Sequence, residues 1–400
     1  MKKGHLSQYF QEIAYKRLSA VEANPKVSNQ HEFNGVSSLR SIFGDQKVEK
    51  MPTMFLYFEE EDPVIDAGFL TWYDSREGND ERSAEYRLYY TGTDVSEESS
   101  EGDLLVIGKQ SSGDIAVIIA KQGSTVENQI LWLFGIPEEI DSKIHSIKVE
   151  DSKDKPLNYI SNKILENIGV EIEDVTISML DKLVEKYGDK FPTTKVFSSY
   201  SRSTVPEMTI KDSPDDVIIA WMDQEEKLFR TFERHIVAKR LKEGFGEDVD
   251  SFVSFSLSVH NRRKSRAGYA LQHHLEELFK IQKVNFDRDA VTENKATPDF
   301  IFPSIKDYHN RKFPIKKLTM LGAKTTCKDR WRQVLSEAAR IKNKHLITLE
   351  PGISENQTNE MRANKLQLVI PGNIHETYKA DQQKWLMSVE GFVDLVRKKQ

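Results

Sequence analysis

"LGAKTTCKDRWRQVLSEAAR" (residues 321–340) carries five basic side chains, one aspartate and one glutamate directly behind an apolar run. The run and the start of this stretch together read KKLTMLGAK (316–324) and predict a buried strand. Apolar residues at helical spacing then predict a helix over about 328–342: Trp331, Val334, Leu335, Ala338 and Ile341. A strand joined to a helix in this way is typical of an α/β domain. The charges alone fit either a solvated helix face or a site that cuts a phosphodiester.

The rest of the C-terminal half alternates predicted helices and strands. A long helix is predicted over 214–243, before the GFG at 244–246, and a second one begins near Ser265. Further strands are predicted at DFIFPS (299–304), HLITL (345–349) and LQLVI (366–370), with a short helix before the last strand and a terminal helix after it. This alternation predicts a mixed sheet flanked by helices over residues 213–400.

The first third of the chain is rich in predicted strands. Clusters of turn-forming residues separate MFLYF (54–58), GFLTWY (68–73), EYRLYY (85–90), DLLVIGK (103–109), DIAVIIAK (114–121) and ILWLFGI (130–136). Short strands at such regular spacing predict a small barrel or sandwich in residues 1–175. Two helices are predicted near 158–168 and 174–187.

Residues 176–212 are predicted to be a linker or an extended arm between these two domains. The segment KFPTTKVFSSYSRSTVPEMTIKDSPDD (190–216) is rich in serine, threonine and proline, which favours irregular structure.

Charge is unevenly distributed along the chain. The whole chain has a formal net charge of −6. Residues 251–350 contain 20 Lys and Arg against 10 Asp and Glu, a local excess of +10, so the other 300 residues sum to −16. A basic segment in an acidic protein is typical of a site for an anionic ligand.

Several classes of protein are excluded or disfavoured by the sequence. No run of eighteen apolar residues and no apolar signal-peptide core occur, so a cytoplasmic location is expected. A single cysteine, Cys327, excludes an internal disulfide and a cysteine-rich zinc site. Walker A, H-E-x-x-H and G-x-S-x-G motifs are absent.

Three residues of the basic region suggest phosphodiester hydrolysis. Asp299 opens an apolar strand, an unfavourable place for a carboxylate unless it is paired or binds a cation. Lys324 ends the next strand, and Glu337 lies beside the apolar stripe of the helix that follows. Two carboxylates can hold Mg²⁺, and a lysine can orient water and offset developing negative charge. Taken singly, Asp299 is more simply interpreted as a turn-capping residue and Glu337 as part of a surface ion pair. Taken together with Lys324 and the local positive charge, they favour a catalytic site.

Two basic clusters suggest contacts with DNA. In SVHNRRKSRAG (258–268) the cationic side chains precede or open a predicted helix, where backbone N–H groups favour phosphate: Arg262, Arg263, Lys264 and Arg266. At the start of the next helical segment, Lys328 and Arg330 can read guanine, and Asp329 can accept from cytosine. A basic loop without a ligand and an ordinary capped helix start are the alternatives.

Four motifs together resemble the EcoRII-type restriction endonucleases, within the PD-(D/E)xK nucleases. The likeness extends loosely over about residues 190–400 and is carried, in order, by GFG (244–246), SVHNRRKSRAG (258–268), TPDFIFPS (297–304) and AKTTCKDRWRQVLSEA (323–338). The resemblance implies a type II site-specific deoxyribonuclease with a restriction-endonuclease-like core.

The resemblance also implies a shifted active-site arrangement. The usual acidic residue two positions before the lysine is replaced here by Gly322, and the next helix supplies the carboxylate instead. The implied Mg²⁺-dependent catalytic set is therefore Asp299, Lys324 and Glu337, with Asp299 and Glu337 as metal ligands. Tyr308 stands where a family tyrosine lies near the site.

The partners implied by the resemblance are double-stranded DNA, a second copy of the chain and a cognate methyltransferase in a prokaryotic restriction-modification system. Lys328, Asp329 and Arg330 are implied to read a CC/GG-bracketed site such as CCWGG. The first third is implied to form a B3-like pseudobarrel that binds a second DNA copy as an allosteric effector and otherwise blocks the cleft. TWYDSREGNDERSAEYRLYYTG (71–92) carries this weaker likeness, with Arg76, Arg82 and Arg87 as candidate effector contacts.

Two positions depart from the family pattern. Gln272 replaces an acidic residue on the helix after SRAG, which leaves Glu276 as the nearby supporting carboxylate. Met222 and Glu226 stand where the family has an arginine and an aromatic residue that receive a flipped base. The alternative functions are a DNA-binding regulator on a decayed nuclease fold and a strand-nicking repair nuclease.

Overall fold

The computed structural model describes residues 6–23, 31–33, 36–59, 63–78, 82–149, 159–170, 177–205, 212–327 and 330–400. Contacts divide the chain into two compact units. The first contains Met1–Ile172 with Pro351–Ser354, and the second contains Glu173–Glu350 with Glu355–Gln400. The assignment of effector, linker and catalytic roles to residues 1–175, 176–212 and 213–400 remains a prediction. Among the described residues, no helix is long and apolar enough to cross a membrane.

The first unit is built on an eight-stranded sheet. Its strands are β1 (Phe10–Arg17), β2 (Glu32–Phe33), β3 (Val48–Phe58), β4 (Val64–Asp74), β5 (Tyr86–Tyr90), β6 (Leu104–Gln110), β7 (Ile115–Ala120) and β8 (His145–Lys148). They lie in the order β2-β5-β4-β3-β7-β6-β1-β8, and β3 pairs with β7 in parallel while the other pairs are antiparallel. The predicted β-rich fold is confirmed, and this strand-rich sheet is consistent with a pseudobarrel.

Among the described residues of this unit, the α-helices are α1 (Ala20–Ala23), α2 (Arg40–Phe43), α3 (Asp94–Glu98), α4 (Thr125–Phe134) and α5 (Tyr159–Asn167). The prediction of a strand at ILWLFGI (130–136) is wrong, because most of this segment lies in α4. Ser124 caps the helix by accepting a hydrogen bond from Glu127 N at 3.2 Å, and Gly135 ends it in the left-handed conformation. A continuous apolar run fits a buried strand or a buried helix equally well, and the caps decide.

The second unit contains a five-stranded mixed sheet between helices. Its strands are β9 (Asp287–Arg288), β10 (Phe300–Phe302), β11 (Thr319–Ala323), β12 (Lys344–Ile347) and β13 (Leu366–Val369). They lie in the order β13-β12-β11-β10-β9, with β11, β12 and β13 parallel and β9 and β10 antiparallel. The predicted mixed sheet flanked by helices is confirmed.

The helices of this unit are α6 (Ile177–Tyr187), α7 (Thr194–Ser203), α8 (Pro214–Glu243), α9 (Val249–Ile281), α10 (Ile305–His309), α11 (Trp331–Leu335), α12 (Glu355–Ala363), α13 (Ala380–Gln383) and α14 (Val389–Lys399). Helix α7 lies in the segment that was expected to be irregular. Its Phe197 is buried in a cluster with Leu183, Leu228 and Phe232, so packing of one apolar side chain outweighs the serine-rich composition.

Two predicted helix boundaries are wrong. Helix α9 begins at Val249 rather than near Ser265, with Asp248 as its N-cap. The helix predicted to run to 342 ends at Leu335, the last residue of α11, and Ala338 has a φ of +46°, which an α-helix does not allow. Both changes alter the surroundings of predicted site residues.

Candidate active site

Asp299 and Lys324 lie close together because the start of strand β10 is beside the end of its antiparallel neighbour β11. Phe300, the first residue of β10, pairs with Leu321 of β11, which places Asp299 opposite the end of β11. Ala323 N donates a hydrogen bond of 2.7 Å to Asp299 Oδ2. Lys324 Nζ lies 3.7 Å from the same oxygen, and the lysine side chain is 23% exposed. Burial raises the pKa of Asp299, although the Lys324 ammonium and the Ala323 amide oppose this effect.

Glu337 completes the group, but not from a helix. It lies two residues past the end of α11, so the prediction that a helix carries it is wrong. Burial and then the neighbouring Asp299 carboxylate raise the pKa of Glu337 to about 7, against the opposing charges of Lys324 and Lys344. Its Oε2 atom is buried and has no hydrogen-bond partner among the described residues. The structure thus brings together the three residues that the sequence singled out.

Side chains from a distant segment hold the turn that follows Glu337. Thr292 Oγ1 accepts from Ala338 N at 3.4 Å, Glu293 Oε2 accepts from Ala339 N at 3.3 Å, and Tyr308 Oη accepts from Arg340 N at 3.3 Å. Tyr308 is fully buried and donates its hydroxyl to Glu293. Tyr308 therefore touches the turn of the candidate site and not its carboxylates.

Lys344 holds the same turn from the other side. Its buried ammonium donates to Glu337 O, and also to the carbonyl oxygens of Ala338 and Ile341 at 3.2 Å each. Such donors replace the hydrogen bonds that a continuing helix would have supplied. Sequence reasoning missed Thr292, Glu293 and Lys344; the one available signal was a lysine at the start of the apolar strand HLITL.

Gly322 has no room for the acidic residue that the usual nuclease motif places there. A Cβ atom added at Gly322 would lie 2.8 Å from Val334 Cγ2 and 3.2 Å from Val334 Cγ1. Val334 is fully buried on α11. Strand β11 and helix α11 therefore pack directly on the glycine backbone, and the carboxylate has to come from another element.

We expect Gly322→Ala to lower the free energy of unfolding by about 1–3 kcal/mol, because the added methyl group overpacks this contact. Gly322→Ala combined with Val334→Ala should be less damaging than the sum of the two single changes, with a coupling of about 1 kcal/mol or more. Urea denaturation of the four proteins measures the cycle. Gly268→Ala is the matched control, since a Cβ there meets nothing within 4 Å outside its own helix backbone. Strict additivity of the two changes would contradict the packing argument.

Glu276 is committed to ion pairs rather than to the site. Its carboxylate accepts from Arg288 at 2.9 Å and from Lys280 at 2.7 Å. Burial opposes ionisation of Glu276, but these two cations outweigh it and lower its pKa to about 2. Gln272 is the α9 residue that reaches Asp299: its Nε2 donates to Asp299 Oδ1. The supporting role of Glu276 stays a prediction, and the contact of Gln272 with Asp299 is one that the sequence did not reveal.

The donor set fits a hard divalent cation. Two partly desolvated carboxylates stand close enough for one to raise the pKa of the other, and one carboxylate oxygen of Glu337 is buried without a partner. A cation between them would relieve both costs. Within the described part of the chain, no three Asp, Glu, His or Cys side chains form a metal-binding group. Mg²⁺ commonly uses one or two carboxylates, completing its shell with water and substrate phosphate.

The predicted base-reading residues are only partly described. Lys328 and Asp329 lie outside the described residues. Arg330 is exposed immediately before α11, and its backbone N–H donates to Cys327 O at 2.8 Å. Cys327 is fully buried, and burial raises the pKa of its thiol well above the ordinary value.

The prediction that the basic cluster SVHNRRKSRAG (258–268) precedes or opens a helix is wrong. These residues lie in the middle of α9, where the backbone N–H groups are already used. Arg266 is only 5% exposed and pairs with Glu226, and Arg263 pairs with the buried Glu233 at 2.6 Å. Arg262 stacks over Phe191, while Lys264 is exposed. Any phosphate contact here must use side chains alone, and Arg266 is the member least available for one.

The structure also describes the arginines predicted to contact effector DNA and the two positions where the family receives a flipped base. Arg87 pairs with Glu32 at 2.8 Å, Arg76 pairs with Glu85, and Arg82 is exposed, so their roles as effector contacts remain predictions. Met222 is buried, and Glu226 pairs with Arg230 at 2.7 Å as well as with Arg266.

Comparisons with known proteins agree with the resemblance in the motifs. Residues 229–393 match a family described as EcoRII C terminal. Over 226 residues the chain is 37% identical to the type II restriction enzyme EcoRII of Escherichia coli, covering 56% of this chain and 55% of that enzyme. The chain thus spans about half the length of this curated relative. The predicted resemblance is confirmed for the C-terminal half.

Two solved structures are also similar. Metal-depleted Ecl18kI in complex with uncleaved, modified DNA aligns with a TM-score of 0.46 at 19% identity, covering 56% of this chain and 85% of that one. A complex of the restriction endonuclease PspGI with substrate DNA aligns with a TM-score of 0.40 at 13% identity, covering 59% and 94% of the two chains.

Proposed function

We propose that this chain, whose residues 229–393 match the family described as EcoRII C terminal, is a type II restriction endonuclease that makes Mg²⁺-dependent double-strand cuts in DNA. The observation that carries the proposal is the convergence of Asp299, Lys324 and Glu337 at the end of β11, inside the matched segment. A regulator on a decayed nuclease fold would have no need to keep this costly group of partly buried charges.

Each residue has a distinct role in the proposed reaction. Asp299 and Glu337 would hold Mg²⁺, which when bound polarises the phosphoryl oxygen and lowers the pKa of water. Lys324 extends from the end of β11 next to Asp299 and would donate to the scissile phosphate and orient the attacking water. The turn after Glu337, held by Lys344 and Tyr308, keeps the second carboxylate in place without a helix.

The finer parts of the proposal follow the family resemblance. The target is a short CC/GG-bracketed site of the CCWGG kind, read by Lys328, Asp329 and Arg330. The active form is a homodimer, since a double-strand cut needs one site for each strand. The β-rich first unit would bind a second copy of the target as an effector. A cognate methyltransferase would protect the host DNA in a prokaryotic cytoplasm.

Cleavage of plasmids by the full chain tests this function. With Mg²⁺, a plasmid that carries two CCWGG sites should be linearised or cut twice, and one with a single site should be cut about tenfold more slowly. Adding a short duplex that contains the site should restore cleavage of the single-site plasmid. A plasmid without the site is the control, and sequencing the ends identifies the target. Absence of double-strand cleavage of any plasmid would overturn the proposed function; equal rates on the first two plasmids would overturn only the effector.

A further inference from the structure

The Asp299 carboxylate is held from two sides. Ala323 N occupies one lone pair of Oδ2 from strand β11, and Gln272 Nε2 donates to Oδ1 from helix α9. Carboxylate oxygens accept more than one hydrogen bond each, so both atoms keep capacity for a cation. The two amides thereby fix the plane of the carboxylate.

Gln272 is itself fixed by an arginine. Its Oε1 accepts a hydrogen bond of 2.8 Å from Arg288 Nη2. The same guanidinium donates to Glu276 Oε2 at 2.9 Å and contacts His273 Nδ1 at 2.9 Å. Because Arg288 takes the oxygen of the Gln272 amide, the NH₂ end of that amide has to face Asp299. The orientation of Gln272 therefore follows from its neighbours.

No free negative charge faces Asp299 from this part of α9. Glu276, one turn beyond Gln272, is occupied by Arg288 and Lys280. Asp289 is close enough to raise the pKa of Asp299, but its carboxylate pairs with Arg288 Nε at 3.2 Å. The cation expected at this site would then receive no carboxylate from this part of α9 beside Asp299 and Glu337. An acidic residue at position 272 would change both the charge and the hydrogen bonding of Asp299.

We propose that Gln272 is a positioning residue that binds Asp299 through its side-chain amide, so that helix α9 adds no carboxylate to the cation site formed by Asp299 and Glu337. This inference rests on the proposed function, because that function supplies the cation. Arg288 acts one step further out by orienting Gln272. Gln272 therefore holds Asp299 by a hydrogen bond at a position where an acidic residue would add a negative charge.

Binding of Mn²⁺ to the metal-free full chain, measured by isothermal titration calorimetry, tests the proposal without a cleavage assay. Gln272→Met keeps the length of the side chain but has no donor, and it should weaken Mn²⁺ binding about tenfold or more, as loss of an outer partner does at metal sites. Gln272→Glu adds a carboxylate beside Asp299 and should tighten binding about tenfold. Both variants should bind DNA like the unchanged chain in the absence of metal.

Glu277→Gln is the control for a single change of charge on the same helix, and its Mn²⁺ affinity should be unchanged. A thermal unfolding transition shows that each variant is folded. If one of the two Gln272 variants does not fold, the Mn²⁺ affinity of the other is enough to test the proposal. Unchanged Mn²⁺ affinity in the folded Gln272 variants would overturn the proposal. Shifts in Mn²⁺ affinity in a chain that cuts no plasmid would instead uphold Gln272 and overturn the nuclease function.

Discussion

Replacing Lys324 by methionine is expected to slow DNA cleavage by about 10²- to 10³-fold, the usual cost of removing one donor to a developing negative charge. The ammonium lies 3.7 Å from Asp299 Oδ2, and its side chain remains partly exposed, so it can reach a phosphate beside the carboxylate. Methionine keeps much of the length and loses the charge. Single-turnover cleavage with saturating Mg²⁺ measures the rate, and a gel-shift assay without metal should show DNA affinity changed by less than about fivefold.

Lys342→Met is the matched control, because Lys342 is an exposed lysine in the same region that is outside the candidate site. Its cleavage rate should stay within about twofold of the unchanged chain. Asp299→Asn should be at least as damaging as Lys324→Met, and the double variant should be little slower than the worse single one, since residues that act as a unit are not additive. Rapid cleavage by Lys324→Met would remove the lysine from the mechanism.

Glu337 is expected to make the metal-free protein less stable as pH rises. Its folded-state pKa of about 7 lies above the ordinary glutamate value, so folding is disfavoured progressively from about pH 4.5 upwards, and the full penalty is reached above pH 7. Allowing for partial solvation, Glu337→Gln should be more stable than the unchanged chain by about 2 kcal/mol at pH 8 and nearly equal to it at pH 4.5.

Urea denaturation in the presence of a chelator, at several pH values, measures this difference. Mg²⁺ should restore stability to the unchanged chain at pH 8 and have little effect on Glu337→Gln, because the cation replaces the missing partner of the carboxylate. Glu360→Gln is the control, since that exposed carboxylate pairs with Arg332 at the surface. A stability difference that does not depend on pH would show that Glu337 is not desolvated as the structure indicates.

The proximity of Asp299 and Lys324 could be predicted from the sequence because each residue stands at the end of a strand. Apolar runs bounded by polar residues mark such ends, and antiparallel neighbours bring them together. The surroundings of Glu337 could not be predicted in the same way. Its turn is fixed by Thr292, Glu293 and Tyr308, which are about thirty to forty-five positions earlier in the chain, and no local pattern encodes that contact.

The misplaced start of α9 has a different cause. SFVSFSLSV (251–259) alternates serine with apolar residues, so its local pattern resembles a strand, yet it is helical. The capping Asp248 and the continuity with the buried positions of α9 decide where the helix begins.

The contacts of Gln272 could not be predicted either, because the sequence revealed only that a negative charge was missing at this position. Its contacts with Asp299 and Arg288 became visible with the fold.

The packing of Gly322 against Val334 has a consequence for how the candidate site can change by substitution. Moving the acidic residue back to position 322 by a single substitution would meet a clash before it could yield any catalytic gain. Shrinking Val334 first would open a cavity in the core with no compensating benefit. Each substitution alone is therefore expected to lower the stability of the fold, whereas the two made together would relieve the clash. The size of residue 334 and the position of the acidic residue are therefore coupled through packing, so a chain with valine at 334 has to supply this carboxylate from the turn.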